Sequence, residues 1–222
     1  MNEKQLAAEK SIEFIKSGMI LGLGTGSTVY FLVKKLAELI NDGLSVKCVS
    51  TSRQTTELAN SLGINIFEFN QVDYIDLTID GADEVDENLN GIKGGGGALL
   101  FEKIAASNSK QIIWIVDSKK FVKTLGKFPL PVEVVQYGYK SLLNKFIDLG
   151  YKPVLRKKDN DIYLTDSGNY IIDLHLNEIQ NPFELEMKIK MLPGVVEVGL
   201  FNNIASVVII GRGESTQIIK RK

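Results

Sequence analysis

"MILGLGTGSTVYFLVKKLAELI", residues 19–40, decides how this chain folds. A short apolar run ends in glycines at 22 and 24, a turn of small residues follows, and apolar residues then recur at helical spacing up to Ile40. The first part reads as a buried strand that stops at a loop. The last part reads as an amphipathic helix with Ser27 or Thr28 as its N-cap. A strand joined to a helix by a tight glycine turn is a building unit of a parallel α/β sheet.

The same alternation continues on both sides. Residues 3–17 read as a helix with Leu6, Ala7, Ile12 and Ile15 on one side. "SVKCVS" is a strand, "RQTTELANSLG" a helix stopped by Gly63, and "INIFEF" a short strand. "YIDLTIDGADEVD" is a strand running into an acidic loop. A helix over 97–107 and the apolar strand "QIIWIV" (111–116) follow. Strands that are apolar throughout, alternating with helices, call for a parallel sheet covered on both faces. Ligands of such sheets sit outside the carboxyl ends of the strands. Three informative stretches fall at such ends: "GTGST", "DGAD" and the glycine run 94–97.

The texture changes near "GKFPLPVEV" (126–134), where Pro129 and Pro131 punctuate the chain. Beyond it the pattern gives strand 132–136, helix 138–149, strands 152–156 and 169–174, helix 182–191 and strand 195–200. That order, β-α-β-β-α-β, is the split βαβ motif of a smaller second domain. "SVVIIG" (206–211) is a buried-looking strand suited to return to the main sheet. The expected division is 1–127 with 203–222 for the main domain and 128–202 for the smaller one.

Composition narrows the function classes. Hydrophobic residues make up 44% of the 222, charged ones 24%, and the formal net charge is -1. No strong field is available to attract nucleic acid or an anionic membrane. No apolar run approaches the length that spans a bilayer. The single cysteine, Cys48, permits no disulfide within the chain and reads as a small buried side chain. The charged N-terminus lacks the apolar core of a secretory signal. The expectation is a cytoplasmic protein without a nucleic-acid or membrane partner.

The turn "GLGTGST" (22–28) has the makings of an anion site. Backbone N–H groups at a helix start point at whatever lies above them, and the helix dipole favours negative charge. A dinucleotide fingerprint needs glycine at 27 and an acidic residue after the next strand, where Ser27, Ser50 and Thr51 stand. A P-loop needs lysine where Gly26 stands. A plain phosphate-binding turn of Thr25, Gly26, Ser27 and Thr28 remains, against a turn whose Ser and Thr merely cap the helix.

In "DLTIDGADEVD" (76–86), Asp80 and Asp83 bracket Gly81 and Ala82. Two such acceptors suit sugar hydroxyls, proton transfer or an oxygen-only magnesium site. A solvated acidic turn is the alternative, and Asp86, Glu87 and Asn88 are expected in one.

"IKGGGGALLFEK" (92–103) supplies Lys93, then Gly94, Gly95, Gly96 and Gly97, whose bare backbone lets a ligand approach amide donors. The helix that follows carries Leu99, Leu100, Phe101, Ile104, Ala105 and Ala106 around most of its circumference. Glu102 therefore reads as partly buried. Burial raises its pKa, and Lys93 and the helix start lower it. That balance suits a general base, with a local cap or salt bridge as the other reading. In "VDSKK" (116–120), Lys119 or Lys120 is placed to reach a phosphate or else lies in a solvated loop. His175, the only histidine, reads as structural or surface. An anion nest, paired aspartates, a lysine beside backbone amides and a half-sheltered glutamate are equipment for abstracting a proton next to a carbonyl of a small sugar phosphate.

Here the chain resembles a known family. "GLGTGSTV", "STS" followed by "LG", "IDGADEVD", "KGGGGALL" with "FEK", "LGKFPLPVEV", "LTDSGNYIIDLH", "PGVVEVGLF" and "VVIIG" together resemble type A ribose-5-phosphate isomerase, in that family's order. The resemblance implies a Rossmann-like, mainly parallel domain with a smaller ferredoxin-like α+β domain. It implies interconversion of ribose 5-phosphate and ribulose 5-phosphate in the pentose phosphate pathway. It also implies no metal or organic cofactor, and a homodimer or homotetramer. By it, Glu102 is the proton-shuttling base, while Lys93, Asp80 and Asp83 handle the sugar hydroxyls and the intermediate. Thr25, Gly26, Ser27 and Thr28 with Lys120 bind substrate, as do Gly81, Ala82, Gly94, Gly95 and Gly96. Lys4 corresponds to a lysine near the phosphate, without a motif to anchor it. Phe101 departs from the pattern, standing where arginine is common. The competing reading is a non-catalytic sugar-phosphate sensor, which would keep the anion nest and need no base.

Overall fold

The computed structural model describes residues 2–221, which divide into two compact units. The first comprises the chain up to Ala82, Phe101–Phe121 and the chain from Ile204. Its six-stranded sheet has the order Ser215–Lys220, Val207–Arg212, Ser109–Asp117, Ile75–Asp80, Ile20–Leu23, Lys47–Ser50. Every neighbouring pair is parallel except the edge pair Val207–Arg212 with Ser215–Lys220. Inner strands such as "IIWIV" are buried throughout because helices cover the sheet. The helix Ser27–Asn41 turns Val29, Leu32, Val33, Leu36 and Ala37 inward, and Glu3–Ser11 contributes Ala7 and Ala8 to the same core. Cys48 lies in that core, where burial pushes its thiol up to about 12, so it is not a reactive thiol.

Several local expectations need correction. "INIFEF" is not a strand: Ile66 makes a single bridge to Cys48, and Phe69–Gln71 is a 3-10 turn. Glu68 and Gln71 form a reciprocal capping box that curls the chain before it can extend. The first helix ends at Ser11, with a 3-10 turn over Ile12–Phe14. The N-cap of the second helix is Gly26, not Ser27 or Thr28. The edge strand Ser215–Lys220 adds to the expected elements; its polar, exposed sequence lacks a buried-strand signature.

The second unit holds Asp83–Leu100 and Val122–Asn203. Its four-stranded antiparallel sheet has the order Val195–Val198, Leu130–Val134, Tyr170–Leu174, Pro153–Leu155. With the helices Tyr139–Asp148 and Pro182–Lys190 this is the ferredoxin-like arrangement. Leu130, Val132, Val134, Ile172 and Leu174 meet Leu142, Phe146 and Ile189 in one core.

Residues 83–100 group with this unit, although the expected boundary kept them in the main domain. Backbone pairing is the reason. Glu84–Val85, Gly91–Ile92 and Leu200–Phe201 form a three-stranded sheet, and the Glu84 carboxylate accepts the amides of Gly126 and Phe128, both at 2.7 Å. In the turn at 86–90, Glu87 and Asn88 are exposed as expected, but the acidic Asp86 is not solvated. Asp86 is buried and accepts from the backbone of Asn88 (2.9 Å) and Asn90 (2.8 Å), closing the hairpin.

Candidate active site

Sheet order fixes where a ligand can sit on the first unit. Ile20–Leu23 lies between Lys47–Ser50 and Ile75–Asp80, so the chain leaves these strands in opposite directions and opens a crevice at their carboxyl ends. The loops after all three strands meet there. Gly24 N–H donates to the Ile79 carbonyl at 3.0 Å. A side chain on Gly24 would overlap the Asp80 carboxylate. Asp80 is only 2% exposed, and its Oδ1 accepts from Thr25 N at 3.0 Å and Gly81 N at 2.7 Å. It thereby bolts the "GTGST" turn to the "DGAD" loop.

Behind that bolt stands a group of hydroxyls that sequence reading assigned no role. Thr25 Oγ1 lies 2.8 Å from both Thr51 Oγ1 and Ser52 Oγ, and Thr55 Oγ1 donates to the Gly24 carbonyl at 2.8 Å. The signal was the "STS" stretch, but hydroxyls become informative only when topology sets them behind another loop.

The start of the helix Ser27–Asn41 has the chemistry to accept an anion. Gly26 adopts φ +118°, which a side chain would oppose, and no side chain caps the helix. Its first-turn amides are therefore left for whatever lies above them. Ser27 is exposed at this start and Thr28 is buried. Lys4 brings its Nζ to 2.9 Å from Ser27 Oγ, at the start of the same helix. Lys120 is half-buried in the 3-10 turn Ser118–Lys120, after the strand Ser109–Asp117. The amides of Gly213 and Ser118, with the Ser118 hydroxyl, hold the Glu3 carboxyl at about 2.

The helix Leu99–Ser107 carries Glu102 in its first turn. Glu102 is sheltered as expected, and Leu99, Ala105 and Ala106 are buried beside it, but not every apolar residue of the helix turns inward. Glu102 is 5% exposed, whereas Phe101 and Ile104 are 39% and 41% exposed. A carboxylate inside and apolar residues outside is an arrangement that folding alone would not favour.

On the second unit, Lys93 is 3% exposed, with its Nζ 5.4 Å from the centre of the Phe201 ring. Asp83 Oδ2 accepts from Gly95 N at 2.7 Å. Gly94 and Gly97 have φ +105° and +83°, and Gly97 N–H closes a turn on the Gly94 carbonyl at 3.0 Å. A side chain on Gly95 would meet Asp83, and one on Gly97 would meet Tyr163. The glycine run is thus a fitted loop. His175 is exposed on this unit.

Residues 47–215 match the family model described as ribose 5-phosphate isomerase A (phosphoriboisomerase A). A Streptococcus pneumoniae protein named ribose-5-phosphate isomerase A is 48% identical over 222 residues, covering 100% of this chain and 98% of the relative. The chain belongs to the ribose 5-phosphate isomerase A family. A Streptococcus gordonii member is 47% identical over 220 residues, covering 99% of this chain and 98% of its own. Among solved structures, a D-ribose-5-phosphate isomerase in complex with phospho-erythronic acid aligns with a TM-score of 0.95 at 39% identity, covering 100% of both chains. The Methanocaldococcus jannaschii ribose 5-phosphate isomerase A aligns at 0.92 with 36% identity, covering 98% of each. These family matches extend across the "GTGST" turn and Lys4, which precede the stretch matched by the family model.

Proposed function

We propose that this chain is an aldose–ketose isomerase that interconverts D-ribose 5-phosphate and D-ribulose 5-phosphate through an enediolate. The observation that carries the reading is Glu102: a carboxylate kept almost dry in a chain that matches the isomerase family along its whole length. A sensor that only bound the sugar phosphate would have no use for it.

Each residue then has a task its surroundings allow. The uncapped start of the helix Ser27–Asn41, with Ser27, Thr28 and Lys4, takes the phosphate. Lys120 adds positive charge for substrate binding. The opened aldose presents its C1 carbonyl and C2 hydrogen. Glu102 removes the C2 proton, and the C–H electron pair moves toward O1 as the enediolate forms. Lys93 and the amides of Gly94 and Gly96 face the developing charge, while the Gly95 amide holds Asp83 in place. Glu102 returns its proton to C1. Asp80 or Asp83 carries the hydroxyl proton from O2 to O1, leaving a C2 carbonyl, while Gly81 and Ala82 supply backbone beside them. A relative 39% identical to this chain binds phospho-erythronic acid, whose planar carboxylate has the shape and charge of such an enediolate.

The reaction as written needs no metal or organic cofactor, and the reading extends to a cytoplasmic homodimer or homotetramer, which sedimentation equilibrium would measure. The deciding experiment incubates the chain with ribose 5-phosphate in heavy water, with and without EDTA. Ribulose 5-phosphate should form in both, with deuterium entering product or recovered substrate. Absence of ribulose 5-phosphate sinks the function. Product that never gains deuterium sinks the proton-transfer route.

A further inference from the structure

We propose that Arg156, braced by Asp173 and joined by Tyr163, is the positioning device that aims the glycine run. The inference rests on the isomerase reading and adds to it residues to which that reading gave no role. Three consecutive carbonyls of the run accept side-chain hydrogen bonds from Arg156 and Tyr163. Arg156 Nη1 donates to the Gly94 carbonyl at 2.8 Å and the Gly95 carbonyl at 3.2 Å, and the Tyr163 hydroxyl donates to the Gly96 carbonyl at 3.2 Å.

In a trans peptide the carbonyl and the following N–H point in opposite directions. Holding the carbonyls of Gly94 and Gly95 therefore sends the N–H groups of Gly95 and Gly96 away from the guanidinium. Gly95 N–H accordingly reaches Asp83 Oδ2 at 2.7 Å. Gly96, the exposed residue beside it, has its N–H turned outward by the same clamp. Glycines have more backbone freedom to lose than any other residue, so without a clamp these peptides would sample many orientations. A cation at the carbonyl end also polarises each peptide and makes its N–H a stronger donor. Both effects favour an enediolate over the neutral sugar.

The clamp is itself rigid. Arg156 Nε and Nη2 grip the two Asp173 carboxylate oxygens at 2.8 and 2.5 Å, with both side chains about one-seventh exposed (14% and 16%). Tyr163 N donates to the Arg156 carbonyl at 3.0 Å, and the guanidinium carbon lies 5.9 Å from the Tyr163 ring centre. One planar fork serves a carboxylate along one edge and carbonyls along the other, which a lysine cannot do. Nε, Nη1 and Nη2 are all engaged inside this unit, so Arg156 acts through the glycine run.

The test compares Arg156→Met, Arg156→Lys and Tyr163→Phe in the full chain, by steady-state kinetics and by amide exchange of residues 94–97. Arg156→Met should lose about 10²-fold in kcat, the scale of a displaced reacting group, with KM changed far less. Millimolar guanidinium should restore part of the loss, whereas Arg156→Lys should not. Tyr163→Phe should show a smaller loss of kcat, and amide exchange of the run should quicken in all three. An unchanged kcat overturns the inference. So does a loss that guanidinium leaves untouched and that follows only a lowered unfolding midpoint. If Arg156→Met does not fold, Tyr163→Phe decides: exchange and kcat both moving support the clamp, and neither moving ends it. A wild-type chain that fails to isomerise ribose 5-phosphate defeats the function instead, and the exchange comparison still judges the clamp.

Discussion

Glu102 shows at the scale of one residue what sequence could and could not give. A lone carboxylate among apolar neighbours was legible as an oddity, because burying a charge costs free energy unless something uses it. Its burial was legible too, but not that Phe101 and Ile104 would be the exposed ones, since helical spacing says which residues share a face and not which face turns inward. Lys93 followed the same logic. The hydroxyls of Thr51, Ser52 and Thr55 did not, because they look like any polar loop until the sheet order sets them behind Thr25. Glu102→Gln keeps the shape of the side chain and removes the base. Turnover should fall at least ~10²-fold, the low end of general-base contributions, while affinity for phospho-erythronic acid, measured by calorimetry, stays near wild type. Turnover close to wild type would remove Glu102 from the role of base.

At the scale of the element, a helix start and a strand each hold a testable constraint. The helix Ser27–Asn41 begins at a glycine with φ +118° and no side-chain cap. Gly26→Ala would force a side chain into a conformation that L residues rarely adopt, at about 1–3 kcal/mol. It should lower the urea unfolding midpoint accordingly and, if the amides there hold the phosphate as proposed, raise KM for ribose 5-phosphate more than it lowers kcat. The second element is the strand Leu130–Val134. Glu133 within it is fully buried, and its Oε1 accepts from Thr165 Oγ1 at 2.9 Å and Asn169 Nδ2 at 3.0 Å. Burial raises its pKa above the usual carboxylate value despite those donors. A raised folded-state pKa means the protonated form suits the fold, so the favourable contribution is present at low pH and is lost as pH rises through the folded value. Glu133→Gln preserves an acceptor for Thr165 and Asn169 without the charge. It should raise the urea midpoint at pH 7, with the gain shrinking toward pH 4. A gain that is the same at both values would exclude the buried charge as its cause. Sequence pattern found this strand but not its glutamate, because "PLPVEV" gives alternation without telling what waits on the polar side.

At the scale of the whole chain, Glu3 joins segments that are far apart in sequence. Its Oε1 accepts from Gly213 N at 2.8 Å, 210 residues away, and its Oε2 from Ser118 N at 3.0 Å and Ser118 Oγ at 2.7 Å, 115 residues away. The start of the first helix is thereby tied to the turns that follow two strands of the parallel sheet, and Lys4, the next residue, is delivered to Ser27. Local pattern cannot reveal such a link: the periodicity of residues 3–17 speaks only of a helix, and the return of the C-terminal strands was readable as an apolar run without its partners. The link has a pH signature opposite to that of Glu133. Amide and hydroxyl donors lower the Glu3 carboxyl from the ordinary 4.5 to about 2, so its stabilising effect is present above 4.5 and fades as pH falls toward 2. Glu3→Gln should therefore lower the urea midpoint at pH 7, and the gap between variant and wild type should close between pH 4.5 and 2. Because the helix start that carries Lys4 loosens, KM for ribose 5-phosphate should rise while kcat at saturation holds. A gap that persists unchanged at pH 2 would assign the effect to packing of the side chain and not to its charge. A fall in kcat with KM intact would detach Glu3 from the phosphate end of the site.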